Sequence, residues 1–194
     1  KGNENYYFGY EIDPTRNSNA GFDAQENGKF VLGGRRQINE NVSVFGENSY
    51  DIFGDRRTFT TQYGVDYAPS ERMTYSFATQ LGRVSDDVAA TSFDRYAYSF
   101  GAQYATQDVL AKGRIEYRKD TGATTGQGNT DTLAVSAQLK QKFSENARIM
   151  ASLDAIETRE NSGNIAKGTY VDGILGYAFR PVDNDKLNML LRYR

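Results

Sequence analysis

Short segments in which apolar and polar residues alternate recur along most of this 194-residue chain, and many of them are paired around a tight turn. In the segment 58–67, Phe59 and Tyr63 lie on one side of an extended chain, because side-chain direction reverses at every residue of a strand. The segment 73–81 repeats the pattern after a predicted turn at 68–71. Two alternating segments around one tight turn predict an antiparallel β-hairpin.

The same alternation predicts about eleven strands. Their connections alternate between tight turns and longer polar segments, as expected when consecutive strands run up and down in one antiparallel sheet. Four of the five longer segments clearly exceed the turns in length, and 53–56 is the exception. The predicted strands are 3–12, 28–38, 42–52, 57–67, 72–83, 93–105, 109–118, 131–142, 147–158, 168–180 and 186–194. The predicted turns are 39–41, 68–71, 106–108, 144–146 and 181–185, and the longer connections are 13–27, 53–56, 85–92, 119–130 and 159–167.

The composition fits strands that cross a membrane better than it fits a spanning helix. Hydrophobic residues make up 38% of the chain, and no window approaches the roughly 20 consecutive apolar residues that a spanning helix needs. In a transmembrane β-barrel only alternate residues face lipid, so the mean hydropathy of its strands stays low. The chain is also rich in strand formers, with 14 Tyr and 11 Phe. We therefore expect an all-β fold, an antiparallel up-and-down transmembrane β-barrel with about 11–12 strands, as a single domain over residues 1–194.

The charge balance and the missing residue types exclude several classes of function. With 23 basic and 25 acidic residues and no basic stripe, the chain lacks the footprint of a nucleic-acid-binding protein. It contains no Cys and no His, so thiolate metal sites, the usual general base and the Cys nucleophile are missing. A carboxylate pair such as Glu116 and Asp154 is explained more simply as charges paired inside a barrel. We therefore expect no enzyme activity, no catalytic residue, no cofactor and no metal.

A soluble β-sandwich or lipocalin-like barrel is the alternative fold, since the same apolar stripe would then face a protein core. The opposite side of the strands argues against it, because Gly, Ala, Ser, Thr and Gln dominate there and charges are scattered. Strand 42–52 alternates poorly. Arg36 falls on the apolar side of its strand, close enough to a turn for its long side chain to reach a polar boundary.

The segment 176–193 reads Gly-Tyr-Ala-Phe-Arg-Pro-Val-Asp-Asn-Asp-Lys-Leu-Asn-Met-Leu-Leu-Arg-Tyr. With the Tyr- and Phe-rich strands before it, this segment resembles the barrel region of Gram-negative outer-membrane proteins, most strongly the segments near the end of large surface proteins that carry a C-terminal barrel. The resemblance implies a location in the bacterial outer membrane, outer-membrane lipid as a partner, and a place in a longer porin-like or cell-envelope protein. It does not indicate an activity, because a fold does not fix a function.

The alternation assigns side chains either to the inside of the predicted barrel or to lipid. Positive charge predominates inside, and rings of basic side chains favour anions in pores, so one hypothesis is a diffusion channel that prefers anions. The alternative is that these charges pair and fill the lumen of a structural barrel, which anchors or forms part of a larger cell-envelope assembly. Barrels of about eight strands are filled by side chains, whereas water-filled channels are typical of about sixteen or more. The predicted pore-lining residues are Arg35, Gln62, Gln80, Gln103, Lys112, Arg114, Glu116, Arg118, Gln138, Lys140, Arg148, Asp154 and Arg192. The predicted lipid-facing residues are Phe59, Tyr63, Tyr67, Phe77, Leu81, Leu133, Leu139, Leu153, Leu175, Phe179 and Leu191.

The predicted strand count has a consequence for closure of the barrel. If 13–27 is an external connection, strands 3–12 and 186–194 run in the same direction, because each strand reverses the one before it. Single-chain bacterial barrels have an even number of strands, and an open edge in lipid leaves unpaired backbone groups that each cost several kcal/mol. We therefore expect at least one further strand beside 186–194, supplied by additional residues, by another copy or by a partner envelope protein.

Overall fold

A single sheet of eleven strands makes up the described part of the computed structural model. Every strand pairs antiparallel with the next one along the chain, so the order in the sheet is the order in the sequence. This confirms the predicted all-β, antiparallel, up-and-down arrangement. None of the described residues belongs to a helix that is long and apolar enough to cross a membrane. The described residues are 4–12, 28–51, 56–86, 91–122, 129–160, 168–181 and 187–194. The strands are β1 (Glu4–Ile12), β2 (Gly28–Gln37), β3 (Val42–Asp51), β4 (Arg56–Ser70), β5 (Met73–Asp86), β6 (Thr91–Ala105), β7 (Val109–Gly122), β8 (Thr130–Lys142), β9 (Ala147–Glu160), β10 (Gly168–Phe179) and β11 (Met189–Tyr193).

The tight turns close their hairpins with local hydrogen bonds. The side-chain oxygen of Asn39 accepts hydrogen bonds from the backbone amides of Asn41 and Val42, at 2.9 and 2.8 Å. The hydroxyl of Thr106 accepts one from the amide of Val109 at 3.0 Å. Short polar side chains that bond the backbone two or three residues ahead favour such reversals over continued strand.

The predicted turn at 68–71 begins too early. β4 continues through Pro69 to Ser70, and the chain reverses at 71–72, so the hairpin of β4 and β5 is confirmed with a shorter turn. The pairing of β4 with β5 shifts register between Tyr67 and Ser70. The shift accommodates Pro69, because proline has no amide hydrogen to donate to a regular ladder.

Several strands continue further than predicted at the ends away from the tight turns. β7 ends at Gly122, and its pairing with β8 continues regularly there, with Lys119 opposite Asp131. The predicted connections 119–130, 85–92 and 159–167 are therefore too long where they meet the strands. Cross-strand pairing overrides the polar character of these residues, from which the connections were predicted. The predicted connection 13–27 and the segments 52–55, 87–90, 123–128, 161–167 and 182–186 lie outside the described residues.

The sheet is open and has a single layer. Among the described residues, β1 pairs only with β2, β11 pairs only with β10, and every strand forms backbone pairs only with its immediate neighbours. The eleven strands therefore do not close into the predicted barrel by themselves, and the expectation that β11 does not pair with β1 is confirmed. Both edge strands present backbone groups with which a further strand can pair.

One face of the sheet is polar and the other is apolar. Residues directly opposite each other on paired strands point to the same face. The polar face carries Gln62 with Gln80 opposite it, and the apolar face carries Tyr63. Large side chains on the apolar face stand exposed, such as Phe77 at 51% and Leu175 at 57%. The polar face is the more crowded side, because the buried side chains of the described residues lie on it. These are Val31, Asp51, Ala78, Val84, Ala97 and Thr132.

Four glycines of β2, β3 and β4 face an aromatic ring on a neighbouring strand. The Phe45 ring lies so close to Gly64 that a Cβ at that position would overlap it. The Tyr7 ring of β1 crosses Gly33 of β2 in the same way, and its hydroxyl donates a hydrogen bond to Glu47 of β3. The missing side chain gives each ring its space. The four glycine–aromatic pairs are Tyr6–Gly34, Tyr7–Gly33, Phe45–Gly64 and Tyr63–Gly46.

Replacement of Gly64 by Ala should destabilise the sheet by about 1 kcal/mol, since the added methyl group displaces the Phe45 ring. Gly173→Ala is the matched control, because a Cβ at Gly173 meets no atom within 4 Å. Urea unfolding of the two refolded variants measures the difference in the free energy of unfolding. Equal stabilities would contradict the close contact between Phe45 and Gly64.

Candidate functional site

The polar face is the candidate functional surface, because all thirteen residues predicted to line a pore lie on it. The register of the strand pairs places Gln62 opposite Gln80, and Arg118 further along the same row. The eleven residues predicted to face lipid lie together on the apolar face, where Leu175 is opposite Ala151. The structure thus separates the two predicted sets, and their assignment to a lumen and to lipid remains a prediction.

The register also brings predicted pore residues into direct contact distance across strands. Gln103, Lys112 and Gln138 are consecutive cross-strand partners on β6, β7 and β8. Lys140 and Arg192 share another row, nearer the tight turns. Side chains opposite each other on one face have Cβ atoms about 5 Å apart, so these groups form continuous polar rows.

Several charges of the polar face are paired. Arg35 donates to Asp66 at 2.6 Å, and Arg114 donates to Glu116 at 2.7 Å. Asp66 and Glu116 thus have basic partners within the sheet, whereas the predicted pairing of charges across a lumen remains a prediction. Asp154 has no ion pair within 4 Å among the described residues.

The least exposed ion pair of the described polar face joins β6 to β7. Nε and Nη2 of Arg95 donate to the two carboxylate oxygens of Asp120, at 2.8 and 2.9 Å, and the two side chains are 22% and 15% exposed. Arg118 lies 3.8 Å from the same carboxylate. A bidentate arginine–carboxylate pair holds both partners in fixed geometry. Asp120 is thereby shared between two cations and links the two strands.

Sequence reasoning missed this pair and a second one. The sequence placed Asp120 in the connection 119–130, outside any strand. Its pairing with Arg95 became visible only because β7 extends to Gly122. Asp172 accepts hydrogen bonds from Arg194 at 2.7 and 3.1 Å, although neither was predicted to line a pore. Alternation did place Asp172 on the non-apolar side of its strand, but pairing with Arg194 depends on the register of β10 with β11. In the described part of the chain, acidic side chains do not gather into a group that could hold a metal ion.

Five basic residues of the polar face lack an acidic partner within 4 Å in the part of the chain that the structure describes. They lie on β7 to β11, towards the tight turns, and Lys142 is directly opposite Arg148. Like charges directly opposite each other are destabilising. We refer to this group as the turn-end basic cluster. Its members are Lys112, Lys140, Lys142, Arg148 and Arg192.

The apolar face carries a nine-residue run on five of the strands between β5 and β10. Within each run, the side chains on this face are apolar or small, and Thr79 is the polar exception. The runs begin or end at the tight turns, and on β5, β6, β7 and β9 a charged residue follows on this face at the other end. The runs are 73–81, 96–104, 109–117, 147–155 and 171–179.

The charged residue that bounds the apolar run shifts steadily from strand to strand. Arg83 on β5 and Asp94 on β6 are direct partners and form an ion pair of 2.8 Å. Lys119 and Asp131 on β7 and β8 lie two residues closer to the tight turns, and Glu157 on β9 lies two residues closer again. From β5 to β9 the boundary therefore moves by four residues over four strand steps, an average of one residue per strand. With about 3.3 Å per residue and about 4.8 Å between strands, a straight boundary with this shift crosses strands that are tilted by about 35°.

Comparisons with known proteins bear on the fold. No protein-family model and no curated protein sequence matches the chain. A solved structure described as a bacterial polysaccharide outer membrane secretin matches with a TM-score of 0.52 and 11% sequence identity, over 84% of this chain and 60% of that chain. The chain thus spans less than two thirds of the length of that protein. At this identity the likeness concerns the fold: the chain is similar in architecture to part of an outer-membrane secretin structure.

Proposed function

We propose that this chain forms part of the wall of an outer-membrane β-barrel pore, with its apolar face against lipid and its polar face towards a lumen. The observation that carries this proposal is the set of nine-residue apolar runs with a stepped charged boundary. Each run covers about 27 Å of strand, which at a tilt of about 35° spans about 22 Å along the membrane normal. Outer-membrane barrels have an apolar band of about 25 Å and strands tilted by about 35–45°.

The exposure of the apolar face supports the same proposal. Tyr98 is 51% exposed and Phe100 48%, in the middle of a sheet that no described element covers. A soluble single-layer sheet would present this whole face to water, whereas soluble monomers rarely expose apolar patches larger than a few hundred Å². Lipid provides the cover that the described strands lack.

The polar face is compatible with an open pore and with a filled barrel. Its unpaired and paired charges favour different alternatives. The turn-end basic cluster favours a water-filled passage, because unpaired cations need solvent or anions around them. The pairs Arg95–Asp120 and Arg35–Asp66 favour a structural barrel that anchors a larger envelope assembly, since paired side chains fill space. Closure of either barrel requires pairing partners for both edge strands, β1 and β11.

Conductance across a planar lipid bilayer tests the pore. The refolded protein, together with any segment or partner that supplies the closing strand, should give a steady ohmic current. An assembled protein that inserts into the bilayer and stays silent would overturn the pore and leave the anchoring barrel.

The proposed topology places the tight turns in the periplasm and the longer connections outside. Trypsin added to intact cells should therefore cut after Lys167, in the connection between β9 and β10. Arg72, which lies at a tight turn, should be protected until the outer membrane is permeabilised. Mass spectrometry of the fragments identifies the sites. Cleavage at Arg72 on intact cells would mean that the topology is reversed.

A further inference from the structure

We infer that the turn-end basic cluster is a binding site for soluble multivalent oxyanions, such as polyphosphates or polycarboxylates. The inference concerns the same polar face as the proposed pore and adds a ligand class and a place on that face.

The distribution of ion pairs carries this inference. Nearer the long connections, cations of the polar face have carboxylate partners: Arg95 pairs with Asp120 and Lys29 with Glu11. Midway along the strands, Arg114 pairs with Glu116. The members of the turn-end basic cluster have no carboxylate partner within 4 Å among the described residues. On β7 to β11 the positive charge that lacks a carboxylate partner therefore lies towards the tight turns. On β2 and β4, by contrast, Arg35 and Asp66 pair in the corresponding half of the strands.

The arrangement within the cluster is unfavourable without an anion. Lys142 and Arg148 are direct cross-strand partners, and Lys140 is two residues from Lys142 on the same face of β8. Strands lie about 4.8 Å apart and alternate residues about 6.8 Å apart, so the Cα atoms of these three residues lie within about 8 Å of each other. Opposed like charges lower stability. An oxyanion between them would replace this repulsion with charge-assisted hydrogen bonds.

The surface has a recess of suitable size at this point. A cavity of about 390 Å³ is lined by Lys140, Lys142 and Arg148, together with Thr106 and Gln107 of the turn between β6 and β7. Pockets of about 300–1,000 Å³ are the usual size for small-molecule sites. The hydroxyl and amide groups supply neutral donors beside the three cations. One carboxylate, Asp108, also lines the recess, which leaves it with an excess of positive charge.

The location favours a soluble anion over a lipid phosphate. The side chains of the cluster lie on the face opposite the nine-residue apolar runs and point away from a lipid that covers those runs. Val109 and Ile149 of two runs also line the recess, at its edge towards the apolar face. In the proposed topology the cluster is at the periplasmic end of the lumen.

Titration of the refolded chain in neutral detergent micelles with sodium tripolyphosphate, at constant ionic strength, tests the site. Calorimetry should show saturable binding, and the midpoint of thermal unfolding should rise with tripolyphosphate concentration, because the ligand binds the folded state. Lys142→Gln with Arg148→Gln should weaken the affinity by about tenfold or more, since two charge-assisted contacts are lost. The same pair of changes removes a repulsion, so the variant should fold at least as well as the parent chain without tripolyphosphate.

Arg83→Gln with Lys119→Gln is the matched control. It removes the same net charge from the apolar face near the long connections, and its affinity for tripolyphosphate should stay within about twofold of the parent value, since distant charges are screened at physiological ionic strength. An equal loss in both double variants, or no saturable binding by the parent chain, would overturn the site. Displacement of tripolyphosphate by an anionic phospholipid added to the micelles would overturn the preference for a soluble anion. Binding is measured without a bilayer, so a silent bilayer experiment leaves this inference standing, and failure to bind leaves the pore standing.

Discussion

Leu175→Arg should reduce folding of this protein into lipid vesicles far more than Gln138→Arg does. Leu175 is the central residue of the apolar run on β10 and is 57% exposed on that face. An arginine on the lipid side of a barrel costs about 2–4 kcal/mol at the bilayer midplane and much less near the interfaces. Gln138 lies on the polar face of β8 at nearly the same height, because its neighbour Leu139 shares a row with Leu175. The two variants therefore differ in face and hardly in depth.

The measurement is the folded fraction at equilibrium in vesicles over a urea series. The difference between the two variants should amount to about 2 kcal/mol or more in the free energy of unfolding. Both should be equally soluble in urea before lipid is added. Equal folded fractions would mean that the apolar face does not contact lipid, and the proposed pore would fail with it.

Asp120→Asn should lower the free energy of unfolding by about 2 kcal/mol, because hydrogen bonds to charged groups are worth about 1.5–3 kcal/mol each and Arg95 loses its charged partner. Asp94→Asn is the matched control, since it also breaks an arginine–carboxylate pair between neighbouring strands. The Arg83 and Asp94 side chains are 64% and 37% exposed, and exposed pairs contribute about 0–1 kcal/mol.

A double-mutant cycle of Arg95→Gln and Asp120→Asn isolates the pair. The coupling free energy should be largest at low salt and should persist at high salt, because mostly buried charges are screened less than exposed ones. If Asp94→Asn costs as much as Asp120→Asn, the polar face gives its charges no more protection from solvent than the edge of the apolar face does.

The sequence predicts most of this fold because a period of two determines both strands and faces. Phe59 and Gln62 fall on opposite faces whatever the tertiary structure, provided that the segment is extended. Errors arise where a local preference is overruled by pairing. Pro69 by itself predicts a turn, but it lies within β4, where the pairing with β5 shifts register. Polar residues such as Asp120 belong to β7 because they pair with residues of β8.

The candidate site was only partly accessible from sequence. Alternation identifies which side chains share a face, so Lys140 and Arg148 could be assigned to the same side as Arg114. Which charges pair depends on register, and register depends on where each turn begins and ends. For that reason the separation of paired charges from the turn-end basic cluster emerged only with the strand pairing of β7 to β11.

The glycine–aromatic pairs of the first four strands fix the register of two strand pairs. β1 and β2 have one such contact on each face, with Tyr7 across Gly33 on the polar face and Tyr6 across Gly34 on the apolar face. A slip by one residue would turn every ring to the wrong face, and a slip by two would drive each ring against a residue that has a side chain. β3 and β4 likewise have one glycine–aromatic contact on each face, Phe45 with Gly64 and Tyr63 with Gly46. Each of these two strand pairs can therefore find its register before it meets the rest of the sheet, although neither pair is joined by one of the predicted tight turns. A wall built from such pairs can grow two strands at a time.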